Sequence, residues 1–292
     1  MGYQSGFRAG LFADSHILVA GGGGGLGRCI AHELASLGAT VVLAGRTMEK
    51  LARTRSEIEA DGGKVAGCFT AELRDEDAVR QLVTDARTSA GGLHGLVNAA
   101  GGQFPAPLAE LSLNGWNAVI NNNLTSYFLL AREMYTQCLR ETGGSIVNIG
   151  ADHASGTAGM GHNGAARAGL SNLTASAASE WGRDGVRVNC VIPGFISTAG
   201  LDRYPEQDHA AIAGIAQRVP LGRMGHAAEI SAMVVFLMSE MAAYVTGADF
   251  LVDGGIRHGA SSFVFKPGPA RNMRAFNGFH RDEPAQLPGQ KR

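Results

Sequence analysis

The sequence predicts an α/β protein built on one doubly wound parallel sheet, with helices on both faces. Three observations predict it. Short aliphatic runs alternate with longer segments of helical periodicity along residues 1–258. Most of those runs are continuously apolar, the pattern of strands covered on both faces. The first of them leads straight into five consecutive glycines, Gly21 to Gly25, ahead of a helical pattern.

The elements follow in order. A strand at 16–20 enters the glycines, and a helix at 26–37 leaves them with Leu26, Ile30, Leu34 and Leu37 on one face. Glycine loses more backbone entropy on folding than other residues, so a run of five needs a reason. The reason read here is close approach of a backbone turn to a phosphate, with free N–H groups and the helix N-terminus aimed at the anion. The run that includes Gly21, Gly25, Leu26 and Gly27 is the stretch expected to make that turn. A second strand, 40–44, ends at Arg46 and Thr47. An acidic residue at that point would hold the ribose hydroxyls of NAD, whereas arginine accommodates a 2′-phosphate, so NADP(H) is expected over NAD(H). Further strands are predicted at 64–69, 95–98, 145–149, 186–192 and 249–252, with helices at 47–60, 75–90, 114–140, 163–182 and 227–240. Right-handed crossovers between such strands wind the sheet in both directions. Ligands then bind beyond the carboxyl ends of the strands.

A net charge of −1 gives neither nucleic acid nor an anionic membrane surface a reason to bind. Cys29, Cys68, Cys138 and Cys190 have no metal-type spacing, so no metal is expected. No apolar run approaches the ~20 residues of a membrane span, and the first residues lack a signal-peptide pattern, which together point to the cytoplasm. From Arg257 the character changes, with Pro267, Gly268 and Pro269 interrupting any periodicity. Residues 259–292 are therefore expected to be an irregular tail, loose or ordered on a neighbouring subunit.

Five segments carry a family resemblance: Leu96–Gly101, Asn123-Leu124, Ser145–Ile149, Val188–Gly194 and Val252–Gly255. With the glycine turn they resemble the short-chain dehydrogenase/reductase family over roughly residues 10–258. The resemblance implies an NAD(P)-binding Rossmann domain, a small-molecule substrate and a homotetramer or homodimer. It also implies that Asn98 and Gly101 support the adenosine side, with Glu72 near the adenine. Pro193, Gly194, Ile196 and Thr198 fall where the family holds the nicotinamide carboxamide. The segment 199–219 falls where it covers the substrate.

The family's Ser, Tyr and Lys set is not matched. Asn123, the accompanying asparagine, is present, but Asn163 falls at the Tyr position, Arg167 at the Lys position and Ala151 at the Ser position. Carbonyl reduction needs a proton for the developing alkoxide, and an asparagine has none to give. Reduction of an enoyl thioester instead develops an enolate oxygen that fixed hydrogen-bond donors can hold. The segments Gly101–Phe104, Leu124-Thr125 and His162–Gly169 resemble the peroxisomal trans-2-enoyl-CoA reductase and citronellal dehydrogenase-like branch. Arg167 can bond the nicotinamide ribose but cannot relay a proton as lysine might. His162 and Asp152 are the candidate proton-handling groups, each with a purely structural alternative. Three functions are carried forward: an NADP(H)-dependent enoyl-thioester reductase, an alcohol or aldehyde oxidoreductase using His162 or Asp152, and a catalytically silent cofactor-binding regulator. The small side chains along 163–181 predict a close helix–helix contact between subunits.

Overall fold

The computed structural model describes residues 2–154, 156, 158–204, 206–259 and 273–286. Seven parallel strands form one sheet in the order β3-β2-β1-β4-β5-β6-β7. They are β1 (His16–Ala20), β2 (Thr40–Gly45), β3 (Lys64–Thr70), β4 (Gly95–Asn98), β5 (Gly144–Ile149), β6 (Val186–Pro193) and β7 (Asp249–Val252). Each matches a predicted strand to within a residue or so at its ends.

The helices are α1 (Gly25–Ser36), α2 (Met48–Ala60), α3 (Glu76–Ala90), α4 (Leu113–Ile120), α5 (Ser126–Met134), α6 (Arg140–Thr142), α7 (Gly161–Trp181), α8 (Glu206–Ala213) and α9 (Ala227–Met238). Inner strands are covered on both sides, which is why they read as continuous apolar runs. In β1, Ile17 and Val19 join a core with Ile30 and Leu34 of α1 and Ile230 and Val234 of α9. The intervening Leu18 and Ala20 join a second core with Val79 and Val83 of α3 and Leu130 and Met134 of α5.

Two features differ from expectation. The helix predicted at 114–140 is three α-helical pieces joined by π turns at Asn121–Thr125 and Tyr135–Leu139. Such a turn widens the helix locally and often marks a site. The described part of the tail, 273–286, has no helix or strand but is laid against its own chain, with Phe279 buried among Cys29, Ala227 and Ala228. Pro267, Gly268 and Pro269 lie outside the described residues.

The chain reverses its winding between β1 and β4. Their carboxyl ends sit side by side, with Ala20 paired to Asn98. The glycine turn and the Asn98 segment therefore face each other at the switch point, where open α/β sheets bind ligands.

Candidate cofactor and substrate site

The five glycines do different work. Gly21 has φ +82°, and a Cβ there would stand 2.7 Å from the Ala99 carbonyl oxygen. A Cβ on Gly27 would stand 2.3 Å from the oxygen of Gly21. These two are required by the chain's own close packing. A Cβ on Gly24 or Gly25 would have no heavy atom within 4 Å. Both border open space in front of α1, whose N-cap, Gly24, offers no side chain to the first helical N–H groups. Among the described residues no side chain caps those donors, and they suit an anion.

Across the switch point, Asn98 is 1% exposed, and neither its Oδ1 nor its Nδ2 has a hydrogen-bond partner. Leaving a buried amide unpaired costs about 1–3 kcal/mol. The open turn at Gly24 and Gly25 and the orphaned amide fit the dinucleotide that the fold implies. Beyond β2, Arg46 and Thr47 are exposed. Glu72, beyond β3, is clamped by Arg74 at 2.7 and 2.5 Å, which holds its carboxyl down at about 2.

The π turn delivers Asn123 into the interior. Its Nδ2 donates to the carbonyls of Gly102 (2.7 Å) and Val119 (2.9 Å), and its Oδ1 accepts from the Gly102 N–H (3.2 Å) and from Arg167 Nη2 (2.8 Å). Arg167 Nη1 donates to the Ile149 carbonyl at 3.0 Å, and the guanidinium lies 5.2 Å over the Tyr127 ring. The Tyr127 hydroxyl donates to the Ala100 carbonyl at 2.6 Å, anchoring that ring. Gly101 lies against this pair: a Cβ would stand 2.9 Å from both Arg167 Nη2 and Asn123 Oδ1, so it would have to displace their bonded side chains. Arg167 is buried, its Nε has no partner, and no carboxylate pairs with it among the described residues. Tyr127, as the platform under Arg167, was not singled out from the sequence. Its only signal there is a tyrosine four residues beyond Asn123.

Asn163 and Arg167 are four residues apart on α7 and so share a face. Asn163 is buried with its Oδ1 unpaired. His162 is 0% exposed, both ring nitrogens lack partners, and its ring meets Phe104 edge-on at 5.0 Å. Asp152 is engaged elsewhere, accepting from Arg257 Nε at 2.8 Å. Arg257 was not among the predicted site residues. It follows β7 and is aimed by its own N–H, which donates to Asp253 (3.0 Å).

Beyond β6, Pro193 ends the strand and Gly194 lies so close to β7's exit that a Cβ would stand 2.7 Å from Asp253 Cα. Ile196 pairs with Gly225 in an isolated bridge, and the Thr198 carbonyl accepts from the Leu201 N–H at 3.0 Å. Gln103 donates to the Tyr204 hydroxyl at 3.2 Å, joining the loop after β4 to the segment after β6. The expected residues thus gather along the carboxyl edge of the sheet. A separate cavity of about 530 Å³ opens at the opposite edge, lined by Ser15, His94, Ser145 and Arg187, and contains none of them. There Arg187 caps α9, donating to the carbonyls of Leu237 (2.7 Å) and Ser239 (3.2 Å).

A family model described as Enoyl-(Acyl carrier protein) reductase matches residues 21–257. A probable 2,4-dienoyl-CoA reductase of Bacillus subtilis is 36% identical over 242 residues, 82% of this chain and 95% of the relative. A peroxisomal 2,4-dienoyl-CoA reductase of Danio rerio is 33% identical over 84% of this chain and 82% of its own length. The solved structure of a citronellol catabolism dehydrogenase from Pseudomonas aeruginosa superposes with a TM-score of 0.78 at 47% identity, covering 87% of this chain and 99% of that one. With its parallel sheet in this strand order and its glycine turn at the switch point, the chain belongs to the short-chain dehydrogenase/reductase family, in its enoyl-CoA reductase-like branch.

Proposed function

We propose that the chain is an NADP(H)-dependent reductase of a conjugated enoyl or dienoyl thioester, with a site that lacks the family's Ser, Tyr and Lys set. The observation that carries this reading is the pairing of Asn163 with a rigidly held Arg167 on one face of α7, where a phenol and an ammonium would serve carbonyl reduction. NADP(H), when bound, supplies the hydride. Gly24, Gly25 and the start of α1 would hold its pyrophosphate, Arg46 and Thr47 its 2′-phosphate, Arg167, itself fixed by Asn123, the ribose region, and Ile196 and Thr198 the carboxamide.

Reduction of a conjugated thioester moves charge onto the thioester oxygen. The Asn163 amide and the Arg167 cation are fixed donors for that charge and need no proton of their own to give. His162, whose ring nitrogens have no partner among the described residues, is the side chain assigned to handle the proton. Its burial beneath Phe104 keeps bulk water away. Asp152, tied to Arg257, orients the loop after β5. The exposed Ala165, Ala168 and Ala175 on α7 leave room for a second helix, in keeping with a homodimer or homotetramer.

The test is NADPH oxidation with crotonyl-CoA as acceptor. Saturable turnover is expected, and His162→Gln should lower kcat about 10²-fold with NADPH affinity retained. Tight cofactor binding without turnover on thioesters or alcohols would make the chain a cofactor-binding regulator instead. The 47% identity to the citronellol catabolism dehydrogenase favours one second reading, an alcohol or aldehyde oxidoreductase. Citronellol oxidation outpacing crotonyl-CoA reduction would establish that reading.

Arg46→Asp should weaken NADPH binding by about tenfold or more, ~1.4 kcal/mol, while changing NADH binding little. Equal effects on the two cofactors, measured by titration, would remove Arg46 from the cofactor site.

A further inference from the structure

We infer that residues 273–286 form an intramolecular strap that positions the substrate-covering segment after β6 against the cofactor-binding helices α1 and α2. The proposed function enters only in reading that segment as the substrate cover. The strap lies outside the family match, which ends at residue 257.

One end of the strap is anchored on the helices. Phe279 is 4% exposed, stacks on Tyr3 at 5.7 Å and lies 5.1 Å from the Arg28 guanidinium. Arg28, one residue past Gly27 on α1, donates to the Arg281 carbonyl at 3.1 Å. Arg281 pairs with Asp61 at the end of α2 through two contacts of 3.0 and 2.8 Å. The N-terminal arm adds a hydrogen bond from the Gln4 N–H to the Gly278 carbonyl at 2.9 Å.

The other end holds the cover. The Glu283 carbonyl accepts from the Ala199 N–H at 3.0 Å, the Ala285 N–H donates to Ser197 Oγ at 3.2 Å, and the Gln286 N–H donates to Asp202 Oδ1 at 2.8 Å. Ala285 is buried with Ile212, Ile215, Val219 and Met224. Glu283 is the pivot: its carboxylate pairs with Arg53 of α2 and lies 3.7 Å from Arg28 of α1, while its carbonyl holds Ala199. Among the described residues, the other ties of 197–204 to the rest of the chain are few. The hydrogen bonds are the Ser197 N–H to the Gly225 carbonyl, the Gln103 to Tyr204 bond and the 2.8 Å contact of His209 Nε2 with the Tyr204 carbonyl, and Leu201 and Tyr204 add apolar packing on the cluster around Ile212. A segment with so few ties of its own opens easily unless something outside it supplies the missing ones.

Phe279 and Glu283 are thus positioning residues, and hydrogen exchange on the full-length protein tests them. Phe279→Ala removes the buried anchor. Glu283→Lys reverses the pivot at a side chain that is 47% exposed, so folding should tolerate it. In both variants the Ala199, Ala285 and Gln286 amides should exchange about tenfold faster or more, while β1 and β4 amides keep their protection. Phe279→Leu, which restores apolar bulk, should recover most of that protection. KM for the acyl substrate should rise more than kcat falls. Unchanged exchange at Ala199 in Glu283→Lys would overturn the strap, whatever the substrate proves to be. Faster exchange in a protein inactive on thioesters would leave the strap standing and reject the thioester reading alone.

Discussion

Gly25→Val is expected to weaken NADPH binding about a hundredfold or more, ~3 kcal/mol, in a protein that still folds. The position has φ +50° and no heavy atom within 4 Å of where a Cβ would stand. A Cβ there meets nothing in the described protein, so a valine is expected to project into the space in front of α1. Its conformational strain in the left-handed region is about 1–3 kcal/mol, below the 5–15 kcal/mol of a typical domain's stability. Gly24→Ala separates strain from occupancy. Gly24 is extended, at φ −179°, so a methyl there carries no strain yet projects into the same open space. It should also lower NADPH affinity, by about tenfold. Titration of cofactor alongside thermal melting reads both. Normal NADPH binding by the two variants would show that the turn is no phosphate cradle. The same experiment at Gly27 would be uninterpretable, because its Cβ would collide with Gly21 and disturb the turn itself.

Arg167→Met is expected to lower kcat/KM by about 10²–10³-fold, the loss typical of removing one preorganised donor from an oxyanion site. Methionine keeps the apolar stem but removes the guanidinium over Tyr127 together with its bonds to Ile149 and Asn123. Stability should change little. The lost hydrogen bonds are offset by relief from burying a charge with no carboxylate beside it. Arg167→Lys should lose less, about tenfold, since an ammonium keeps the charge but cannot bond both Ile149 and Asn123 in the guanidinium's planar geometry. Steady-state kinetics on crotonyl-CoA, with melting as the control, decides. Full activity in Arg167→Met would exclude the arginine from the site.

The strands and most helices were legible because their causes are local. Two-sided burial writes itself into β1 as an unbroken apolar run, and α1 shows its buried stripe at helical spacing. The outermost strands, β3 and β7, bury less of each residue, and their burial rises and falls along the strand although β7 still reads as the apolar run 250–252. The site was legible in part. Asn123, Asn163 and Arg167 could be picked out, but their mutual bonds could not. Asn123 reaches Arg167 because a π turn widens a helix that the periodicity read as uniform.

What the order of residues settled unaided is the fold class, the place of the glycine turn and the chemical character of the groups at the carboxyl edge. Each depends on neighbours a few residues away. Folding in three dimensions settled which groups meet. Asp152 meets Arg257 across 105 positions, and Arg281 meets Asp61 across 220. It also divided the five glycines into those the chain needs for its own packing and those that leave room for a ligand. The physical reason is that hydrogen bonds and ion pairs act over a few ångströms of space. Which residues come within that range is set by the crossover of strands, a property of the whole sheet that no short window of sequence contains.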